Sequence, residues 1–596
     1  MRALKLLLSL QLGPKNCLYY FMMEKKWVIQ KDTEIDTVVN LIEGLGVSKP
    51  IANLLGQRGI QNFEQAKVFF RPQLSDLHDP FLMKGMQAAV DRIQDAIANN
   101  ENILVYGDYD VDGTTAVAAV YSYLTTYYGQ VGYYIPDRYK EGYGVSKIGV
   151  DFAIDNSFSL IIALDCGTKA VEEIGYAKAN GIDFIVCDHH LPGQDVPPAI
   201  LLNPKQVGCE YPFKELSGCG VGFKLIQAIN ETFAAPFETI EPLMDLVAVS
   251  IGADLVSIQG ENRILAHFGL LRINREPRIG FKKMLQLANK TGEISISDLV
   301  FSIAPRINAA GRIDSGNKAV ELLLAKNEDQ VAEVSRQINA HNETRKGLDK
   351  EITQEALALI EKDNWLLNAK STVVFNGNWH KGVIGIVASR LIEMYYRPTI
   401  VLTESNGVAV GSARSIKGFN IHDAIAQCSD LVTQFGGHYF AAGLTLPLEN
   451  VPAFKLKFNA VAESLLTPKM LIPEIEIDTE IDFRDIFESQ VGGIPKFYRV
   501  MKQLAPFGPD NMAPVFVTRG VKDTGESRLI KDDHVKLVMR LDEYPELILS
   551  GIAFNFGHLI TRILKEPFDI VYTIEENFWN GRSSLQLMIR DIRFDH

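Results

Sequence analysis

The sequence lacks the cysteine patterns that hold zinc or build a disulfide framework. Its 596 residues include six cysteines, and no two of them form a CxxC pair. Free thiols in a reducing compartment are the simpler interpretation, which favours a cytoplasmic protein. No repeat or low-complexity tract is visible, and no apolar run reaches the length of a membrane span. We therefore expect no membrane partner.

The N-terminus lacks a recognisable targeting signal. The start MRALKLLLSLQLGPKNCLYYFMMEKKW has a basic residue and a short apolar run, but it has no A-x-A cleavage site. Met22 and Met23 precede EKKWVIQ. We expect residues 1–22 to be a non-native or unstructured extension that arises from a mis-assigned upstream start.

Composition is that of a globular chain. It is 47% hydrophobic and 22% charged, and at 596 residues it is too long for one core, so three or four domains are expected. The net charge of −13 argues against a non-specific nucleic-acid coat, but it is compatible with a local basic groove and with a metal enzyme.

Hydrophobic runs alternate with helical patterns between residues 101 and about 205. Five such runs occur, namely NILVY, VGYYIPD, LIIALD, FIVCD and AILLNP. This β/α alternation predicts a parallel sheet covered by helices. Residues 327–363 predict one long exposed helix. Short strand-like segments from about residue 470 predict a small closed β barrel, with aromatics at Phe554, Phe556, Tyr572, Phe578 and Trp579 that more often form a core than a base-stacking surface.

Acidic residues gather where the apolar runs end. The stretch ILVYGDYDVDG contains three aspartates, and further acids and two histidines follow LIIAL, FIVC and MDLVAVSIGA. The residues are Asp108, Asp110, Asp112, Asp165, Asp188, His189, His190 and Asp254. Carboxyl ends of parallel strands share one edge of the sheet, so we expect these side chains to converge in one crevice.

Each acid taken alone could have a purely structural role, because an aspartate after a strand is commonly a helix N-cap. Asp112 before GTTAVAAV fits that interpretation. Capping does not explain three acids in one loop together with two histidines in another. Carboxylates with imidazole are ligands of divalent cations, and several acids together predict a two-metal site for magnesium or manganese rather than zinc.

The pair of motifs DYDVDG and DHH, with Asp165 between them, resembles the DHH phosphoesterase superfamily. Longer segments are similar to the single-strand-specific DNA exonucleases of that superfamily. These segments are IPDRYKEGYG, APRINAAGRID, WHKGVIGIVASR, GSARS, FGGHYFAAG and LAPFGPDNMAPVF. The resemblance runs from about residue 23 to the C-terminus.

The resemblance implies a multidomain α/β protein with a parallel-sheet DHH domain and an α/β DHH-associated domain joined by a long helix, plus a C-terminal oligonucleotide-binding (OB) barrel. The expected boundaries are 23–100 for an N-terminal helical cap, 101–326 for the DHH catalytic domain, 327–363 for the helix, 364–466 for the associated domain and 467–596 for the OB-fold domain.

Site roles also follow from the resemblance. It implies that Asp110, Asp112, Asp165, His189 and Asp254 bind two Mn²⁺ or Mg²⁺ ions and that His190 contacts the scissile phosphate. Family members often have histidine where this chain has Tyr106, and Asp108 is the candidate replacement ligand. Asp188 is expected to orient its neighbours. Three residues, Arg138, Ser412 and Arg414, would grip a 5′ phosphate, while Arg312 and His438 would hold phosphates near the metals.

The implied activity is 5′ to 3′ hydrolysis of 5′-phosphorylated single-stranded DNA to mononucleotides, in recombination and repair. A single-strand-binding protein and a DNA helicase are expected partners, and a monomer is expected. Three alternatives stay open: a DHH phosphodiesterase for short oligoribonucleotides or cyclic dinucleotides, a catalytically dead single-strand-binding scaffold, and an inorganic pyrophosphatase. The C-terminal barrel counts against the first, and the complete set of acids and histidines counts against the second.

Overall fold

The structure is a computed structural model that describes residues 23–313, 315–487, 490–491, 493–531, 533–579 and 582–594. The expected N-terminal extension, residues 1–22, lies outside these ranges. The chain forms two compact units. The first unit contains Glu64–Glu343 and Gln503–Ala513, and the second contains the residues up to Phe63, Thr344–Lys502 and the residues from Pro514 onward.

Helices surround a five-stranded sheet in the first unit. Its strands are β2 Asn102–Gly107, β3 Val131–Tyr134, β4 Phe158–Leu164, β5 Asp183–Cys187 and β6 Ile200–Leu202. They lie in the order β3-β2-β4-β5-β6, and every pair is parallel. The five predicted strands and their parallel arrangement are therefore confirmed.

Both faces of this sheet are buried, which explains why its strands read as continuous apolar runs. Along β2, Ile103 and Val105 belong to one apolar cluster, while Leu104 and Tyr106 belong to another. The helices before the long connecting helix are α3 Phe63–Phe70, α4 Met86–Ala98, α5 Val111–Tyr127, α6 Lys147–Asp155, α7 Val171–Ala179, α8 Gly218–Thr232, α9 Met244–Ala253, α10 Gly260–Arg275, α11 Ile279–Leu287, α12 Ile296–Asp298, α13 Ala304–Ile313 and α14 Asn317–Leu324.

One arginine fixes a distant segment of the chain to the first unit. Buried Arg263 of α10 donates to the carbonyl oxygens of Phe69, Leu504 and Ala505 at 2.9–3.1 Å, and its guanidinium lies 3.7 Å from the centre of the Phe69 ring. Because Arg263 satisfies carbonyl groups of both segments, these hydrogen bonds explain why residues 503–513 pack with the first unit.

The long helix α15 spans Glu328–Lys362, close to the predicted 327–363. Residues 328–343 of this helix belong to the first unit and residues 344–362 to the second. The other helices of the second unit are α1 Ile35–Leu45, α2 Lys49–Gln57, α16 Asn364–Asn368, α17 Ile384–Tyr395, α18 Ile421–Ala426, α19 Val451–Leu465, α20 Phe483–Phe487, α21 Lys496–Lys502 and α22 Ile560–Ile563. No helix among the residues that the structure describes is long and apolar enough to cross a membrane.

A second five-stranded sheet forms the middle of the second unit. Its strands are β7 Thr372–Phe375, β8 Thr399–Ser405, β9 Val408–Arg414, β10 Gln434–His438 and β11 Ala441–Pro447. They lie in the order β10-β11-β9-β8-β7, with β7 and β8 parallel and the other pairs antiparallel. Ile400 and Leu402 face one apolar cluster and Val401 faces another, so helices cover both faces of the inner strands.

The C-terminal region is a curved seven-stranded sheet. Its strands are β13 Thr479–Glu480, β16 Phe516–Asp523, β17 Arg528–Ile530, β18 His534–Leu541, β19 Tyr544–Ala553, β20 Phe568–Trp579 and β21 Arg582–Arg593. Four shorter strands form two separate pairs, β1 Lys26–Ile29 with β12 Glu474–Ile477 and β14 Gln490–Val491 with β15 Ile494–Pro495. The order is β13-β16-β20-β21-β19-β18-β17, with a further pairing of β16 to β18 through two residue pairs. Full closure into a barrel stays a prediction.

The aromatics of this sheet follow the core interpretation at two positions. Tyr572 and Phe556 are buried, whereas Phe578 is 72% exposed. The side chain of Trp579 lies outside the described residues. The domain boundaries expected from the sequence also stay predictions.

Candidate metal centre and phosphate-binding residues

The acids of the first unit lie at the carboxyl edge of its sheet. Asp108 follows β2, Asp165 follows β4 directly, and Asp188 follows β5 directly. All three are buried, as is Asp112 in the first turn of α5. The parallel register of β2, β4 and β5 brings these positions together, as the sequence predicted.

Asp254 lies at the same site but follows a helix instead of a strand. The apolar run that precedes it is not a strand but the buried helix α9, and Asp254 is its C-cap. A run of this length is ambiguous from periodicity alone, because a fully buried helix and a fully buried strand are both apolar throughout.

His189 lies at the centre of the cluster. Its Nε2 atom is 3.2 Å from Asp165 Oδ1, 3.5 Å from Asp254 Oδ2 and 3.8 Å from Asp112 Oδ2. These spacings place one nitrogen and three carboxylate oxygens around a common point. His190 lies beside it, with Nδ1 4.0 Å from Asp165 Oδ1.

Two overlapping groups have the spacing of metal ligands. One is Asp165, His189 and His190, and the other is Asp112, His189 and Asp254; within each, the potential ligand atoms lie within 4.8 Å of one another. Among the described residues, neither group includes Asp108 or Asp110. Asp110 is the N-cap of α5 and accepts a hydrogen bond from the Gly113 amide at 3.0 Å. The capping role considered for Asp112 therefore belongs to Asp110.

Unpartnered buried atoms test whether cations fit this site. Asp165 Oδ1, Asp108 Oδ2 and both ring nitrogens of His189 are buried without a hydrogen-bond partner. A buried polar atom without a partner is costly, and a carboxylate more so. Divalent cations would satisfy oxygen and imidazole atoms together, so the residues present fit such ions.

Electrostatics supports the same interpretation. Burial, reinforced by Asp112 and Asp110, raises the pKa of Asp165 far above its usual range and that of Asp254 to about 8. Burial and then Asp112 likewise raise the pKa of Asp110. Burial lowers the pKa of His189, which leaves the ring neutral and able to bind a metal. Without a positive charge these acids disfavour one another's ionisation.

Asp112 is held by contacts that the sequence did not predict. Its carboxylate accepts hydrogen bonds at 2.7 Å from the amides of Gly218 and Cys219, at the start of α8, and from Ser250 Oγ. A Cβ built on Gly218 would lie 2.5 Å from Asp165 Cβ, so only glycine fits there. The helix N-terminus stabilises the negative charge and fixes the carboxylate.

Asp188 forms hydrogen bonds with both histidines, and its expected role in orienting them stays a prediction. Its Oδ1 accepts hydrogen bonds from the His189 and His190 amides and lies 2.7 Å from His190 Nδ1. Burial alone would raise the pKa of Asp188, but the hydrogen bonds from His190 and Thr168 hold it well below its usual range.

Tyr143 is a site residue that the sequence reasoning missed. Its hydroxyl lies 3.1 Å from His190 Nε2 and 3.3 Å from the carbonyl oxygen of Asp165. The only available signal was its place within IPDRYKEGYG, which carries no chemistry by itself. Together with Asp188, Tyr143 contacts both nitrogens of the His190 ring.

Tyr106 is not directed to this cluster. It is fully buried in an apolar cluster on one face of the sheet, and its hydroxyl donates to the Gly144 carbonyl at 3.0 Å and accepts from the Ser146 amide at 3.2 Å. It therefore fixes the loop that carries Tyr143. Asp108, the candidate replacement ligand, is buried beside the cluster.

Arg138 and Arg312 lie around Tyr109. The Arg138 guanidinium is 4.9 Å from the centre of the Tyr109 ring. Arg312 follows Gly311, where a Cβ would lie 2.8 Å from the Tyr109 carbonyl oxygen, so α13 packs closely on this loop. Burial raises the pKa of Tyr109 to about 12, against the influence of both arginines.

Ser412, Arg414 and His438 belong to the second unit. Arg414 Nη1 lies 3.1 Å from Ser412 Oγ. A Cβ built on Gly385, in the first turn of α17, would lie 2.8 Å from Ser412 Oγ and 3.1 Å from Arg414 Nη2. A hydroxyl, a guanidinium and a helix N-terminus together suit a phosphate.

Three family models match the chain. They are the DHH family N-terminal domain over residues 102–251, the DHHA1 domain over residues 368–464 and the RecJ OB domain over residues 477–591. The first match covers the parallel sheet and most of the acidic cluster, and the second covers the mixed sheet that carries Ser412 and Arg414. Fold and site together define a DHH phosphoesterase.

Whole-chain comparisons narrow this class. The single-stranded-DNA-specific exonuclease RecJ of Bacillus subtilis is 39% identical over 95% of this chain and 70% of its own length, and that of Escherichia coli is 32% identical over 86% and 90%. A crystal structure of RecJ in complex with Mn²⁺ from Thermus thermophilus aligns with a TM-score of 0.81 at 27% identity, covering 96% of this chain and 80% of that one. The chain belongs to the RecJ family.

Proposed function

We propose that this protein is a metal-dependent 5′ to 3′ exonuclease that degrades single-stranded DNA to 5′-mononucleotides. The observation that carries the proposal is the pair of overlapping ligand groups around His189, with buried oxygen and nitrogen atoms that lack partners. Family membership supplies the substrate, since the RecJ relatives are named as single-stranded-DNA-specific exonucleases.

Two cations, Mn²⁺ or Mg²⁺, are the proposed cofactors. We assign Asp110, Asp112, Asp165, His189 and Asp254 as their ligands, with Asp108 as a further candidate. When bound, such cations activate a water and stabilise the leaving oxygen of a phosphodiester. Asp165 Oδ1, Asp108 Oδ2 and the neutral His189 ring are suited to hold them because these buried atoms have no hydrogen-bond partner.

His190 is the proposed contact to the scissile phosphate. Asp188 on one ring nitrogen and Tyr143 near the other set its orientation. The hydrogen bond to Asp188 raises the pKa of His190 despite the opposing effect of burial, so a positive charge on the ring is favoured. A cationic imidazole at this position binds an anionic phosphate.

The remaining polar residues are assigned to phosphates of the strand. Ser412 and Arg414 are the proposed ligands of the 5′ phosphate, supported by their 3.1 Å contact and by the adjoining turn of α17. We also assign Arg138, Arg312 and His438 to substrate phosphates.

The cellular setting is proposed by analogy with the family name. We place the enzyme in the cytoplasm, as a monomer that acts in recombination and repair. A DNA helicase would expose the strand, and a single-strand-binding protein would coat it.

A time course with Mn²⁺ or Mg²⁺ tests the activity. The substrates are a 5′-phosphorylated single strand labelled at its 3′ end, the same strand in a blunt duplex, and a dinucleotide, and His189→Ala is the control. We expect mononucleotide release from the single strand alone. Cleavage confined to the dinucleotide would contradict the proposal in favour of a small-substrate phosphodiesterase, and binding without cleavage would contradict it in favour of a scaffold.

A further inference from the structure

Two large aromatic side chains are exposed at the tip of a hairpin in the second unit. Tyr439 and Phe440 form the two-residue connection between β10 and β11, and they are 38% and 51% exposed. Their ring centres are 4.7 Å apart at an angle of 66°. Exposing a pair of rings is unfavourable unless something covers them, so this tip requires an explanation.

The tip adjoins the phosphate-binding residues by strand register. His438 is opposite Ala441, which is in turn opposite Arg414. Residues paired across neighbouring strands point to the same face of a sheet. His438 and Arg414 therefore share one face, and Ser412, two residues before Arg414, lies on that face as well.

The sheet surface beside these side chains is formed by glycines and therefore carries no side chains. Ser412 is opposite Gly443, which is opposite Gly436. Nothing lies within 4 Å of a Cβ built on Gly436, and a Cβ on Gly443 would meet a single atom, the Gly411 carbonyl oxygen, at 4.0 Å. The backbone of a bound nucleic-acid strand can lie directly against these glycines, between the phosphate-binding side chains and the aromatic tip.

The tip is held in place by its backbone. The Phe440 carbonyl accepts a hydrogen bond from the Ser415 amide at 2.9 Å, and the Tyr439 carbonyl accepts one from the Ile421 amide at 3.1 Å. Gly437 adopts φ 141°, and a Cβ there would lie 2.4 Å from the Ala441 carbonyl oxygen, so glycine permits the close turn. The aromatic rings are thus presented from a fixed position, which reduces the entropy lost on binding.

We propose that Tyr439 and Phe440 are a stacking surface for a nucleobase of the strand whose phosphates contact Ser412, Arg414 and His438. The inference rests on the proposed function and adds base contact to it. Stacking on an aromatic ring accepts any base, so the contact is independent of sequence. Inside a duplex each base is covered by its neighbours, so the surface favours unpaired nucleotides.

Binding of two oligonucleotides tests this inference. Fluorescence anisotropy in EDTA compares a 5′-phosphorylated single strand with the same strand carrying abasic residues at its first three positions. For the wild type we expect weaker binding of the abasic strand. The double variant Tyr439→Ala/Phe440→Ala should bind the normal strand about tenfold or more weakly than the wild type, with little change for the abasic strand.

Two further variants separate stacking from folding. Tyr439→Phe keeps a ring and should retain affinity, and Phe63→Ala removes a similarly exposed phenylalanine, 49% exposed, from elsewhere in the second unit. Equal losses on both strands, or no loss on either, would overturn the inference. A wild type that binds through the aromatic pair but cleaves no strand in Mn²⁺ would leave the stacking surface in place and overturn the proposed function.

Discussion

Asp188 Oδ1 lies 2.7 Å from His190 Nδ1 and also accepts the His190 amide hydrogen. Asp188 belongs to neither metal-ligand group of the described residues, so its carboxylate acts on the site through its neighbours. The residue proposed to orient the histidines is therefore distinct from the residues proposed to bind the metals.

Replacing Asp188 should therefore impair turnover. Asp188→Ala removes the acceptor that sets the His190 ring, and we expect kcat to fall roughly 10–100-fold with a smaller change in KM. Asp188→Asn keeps an acceptor oxygen and should recover part of the loss. Steady-state kinetics measure both constants, and Asp195→Ala, an exposed residue after the same strand, is the control. An unchanged kcat in Asp188→Ala would contradict the orienting role.

Asp112 combines two roles that a substitution will not separate. Asp112→Ala leaves the Gly218 and Cys219 amides without their acceptor and removes one of the two acceptors of Ser250 Oγ. We expect the free energy of unfolding of the metal-free protein to fall by about 1–3 kcal/mol, in addition to loss of cleavage. Denaturant unfolding in EDTA measures the difference.

Asp165→Asn is the matched comparison for that experiment. Its Oδ1 has no hydrogen-bond partner and burial disfavours its charge, so a neutral isostere should leave the metal-free stability unchanged or higher while abolishing cleavage. If Asp112→Ala and Asp165→Asn had equal free energies of unfolding, the stabilisation predicted for the Asp112 hydrogen bonds would be wrong.

The sequence predicted the residues of this site better than their contacts. The apolar runs predicted five strands, and the acids that follow them predicted that Asp165 and His189 converge. Both predictions hold because a parallel sheet places the carboxyl ends of its strands on one edge. The hydrogen bond from Gly218 to Asp112 joins residues 106 positions apart. Local patterns contain no information on such a contact.

Asp254 and Tyr143 show two other limits of the sequence. The apolar run before Asp254 does not distinguish a strand from a helix, because both are apolar throughout when fully buried; the run is a helix, and it delivers the carboxylate to His189. Tyr143 lies in a loop, where side-chain direction depends on tertiary contacts such as those of Tyr106.

Divalent cations should stabilise the folded protein measurably. Asp112, Asp165 and Asp254 repel one another, and a cation relieves both the repulsion and the unpartnered buried atoms. At a Mn²⁺ concentration about 100 times its Kd, linkage predicts about 2.7 kcal/mol of added stability for one site. Thermal unfolding with Mn²⁺ and with EDTA measures it.

The control for that measurement is His189→Ala, which removes the ligand shared by both groups. We expect its unfolding temperature to respond far less to Mn²⁺. A variant that gains as much stability as the wild type would show that the cations bind elsewhere.

Recognition of the strand end depends on Arg414 in the proposal. Arg414→Ala should lower kcat/KM for a 5′-phosphorylated strand by roughly 10–100-fold, since a hydrogen bond to a charged group contributes about 1.5–3 kcal/mol. The same strand with a 5′ hydroxyl lacks the group that Arg414 binds, so its cleavage should change little. Arg336→Ala, on the exposed face of α15, controls for loss of a positive charge. Equal losses on the phosphate and hydroxyl ends would mean that Arg414 holds an internal phosphate or the Ser412 side chain, rather than the terminal phosphate.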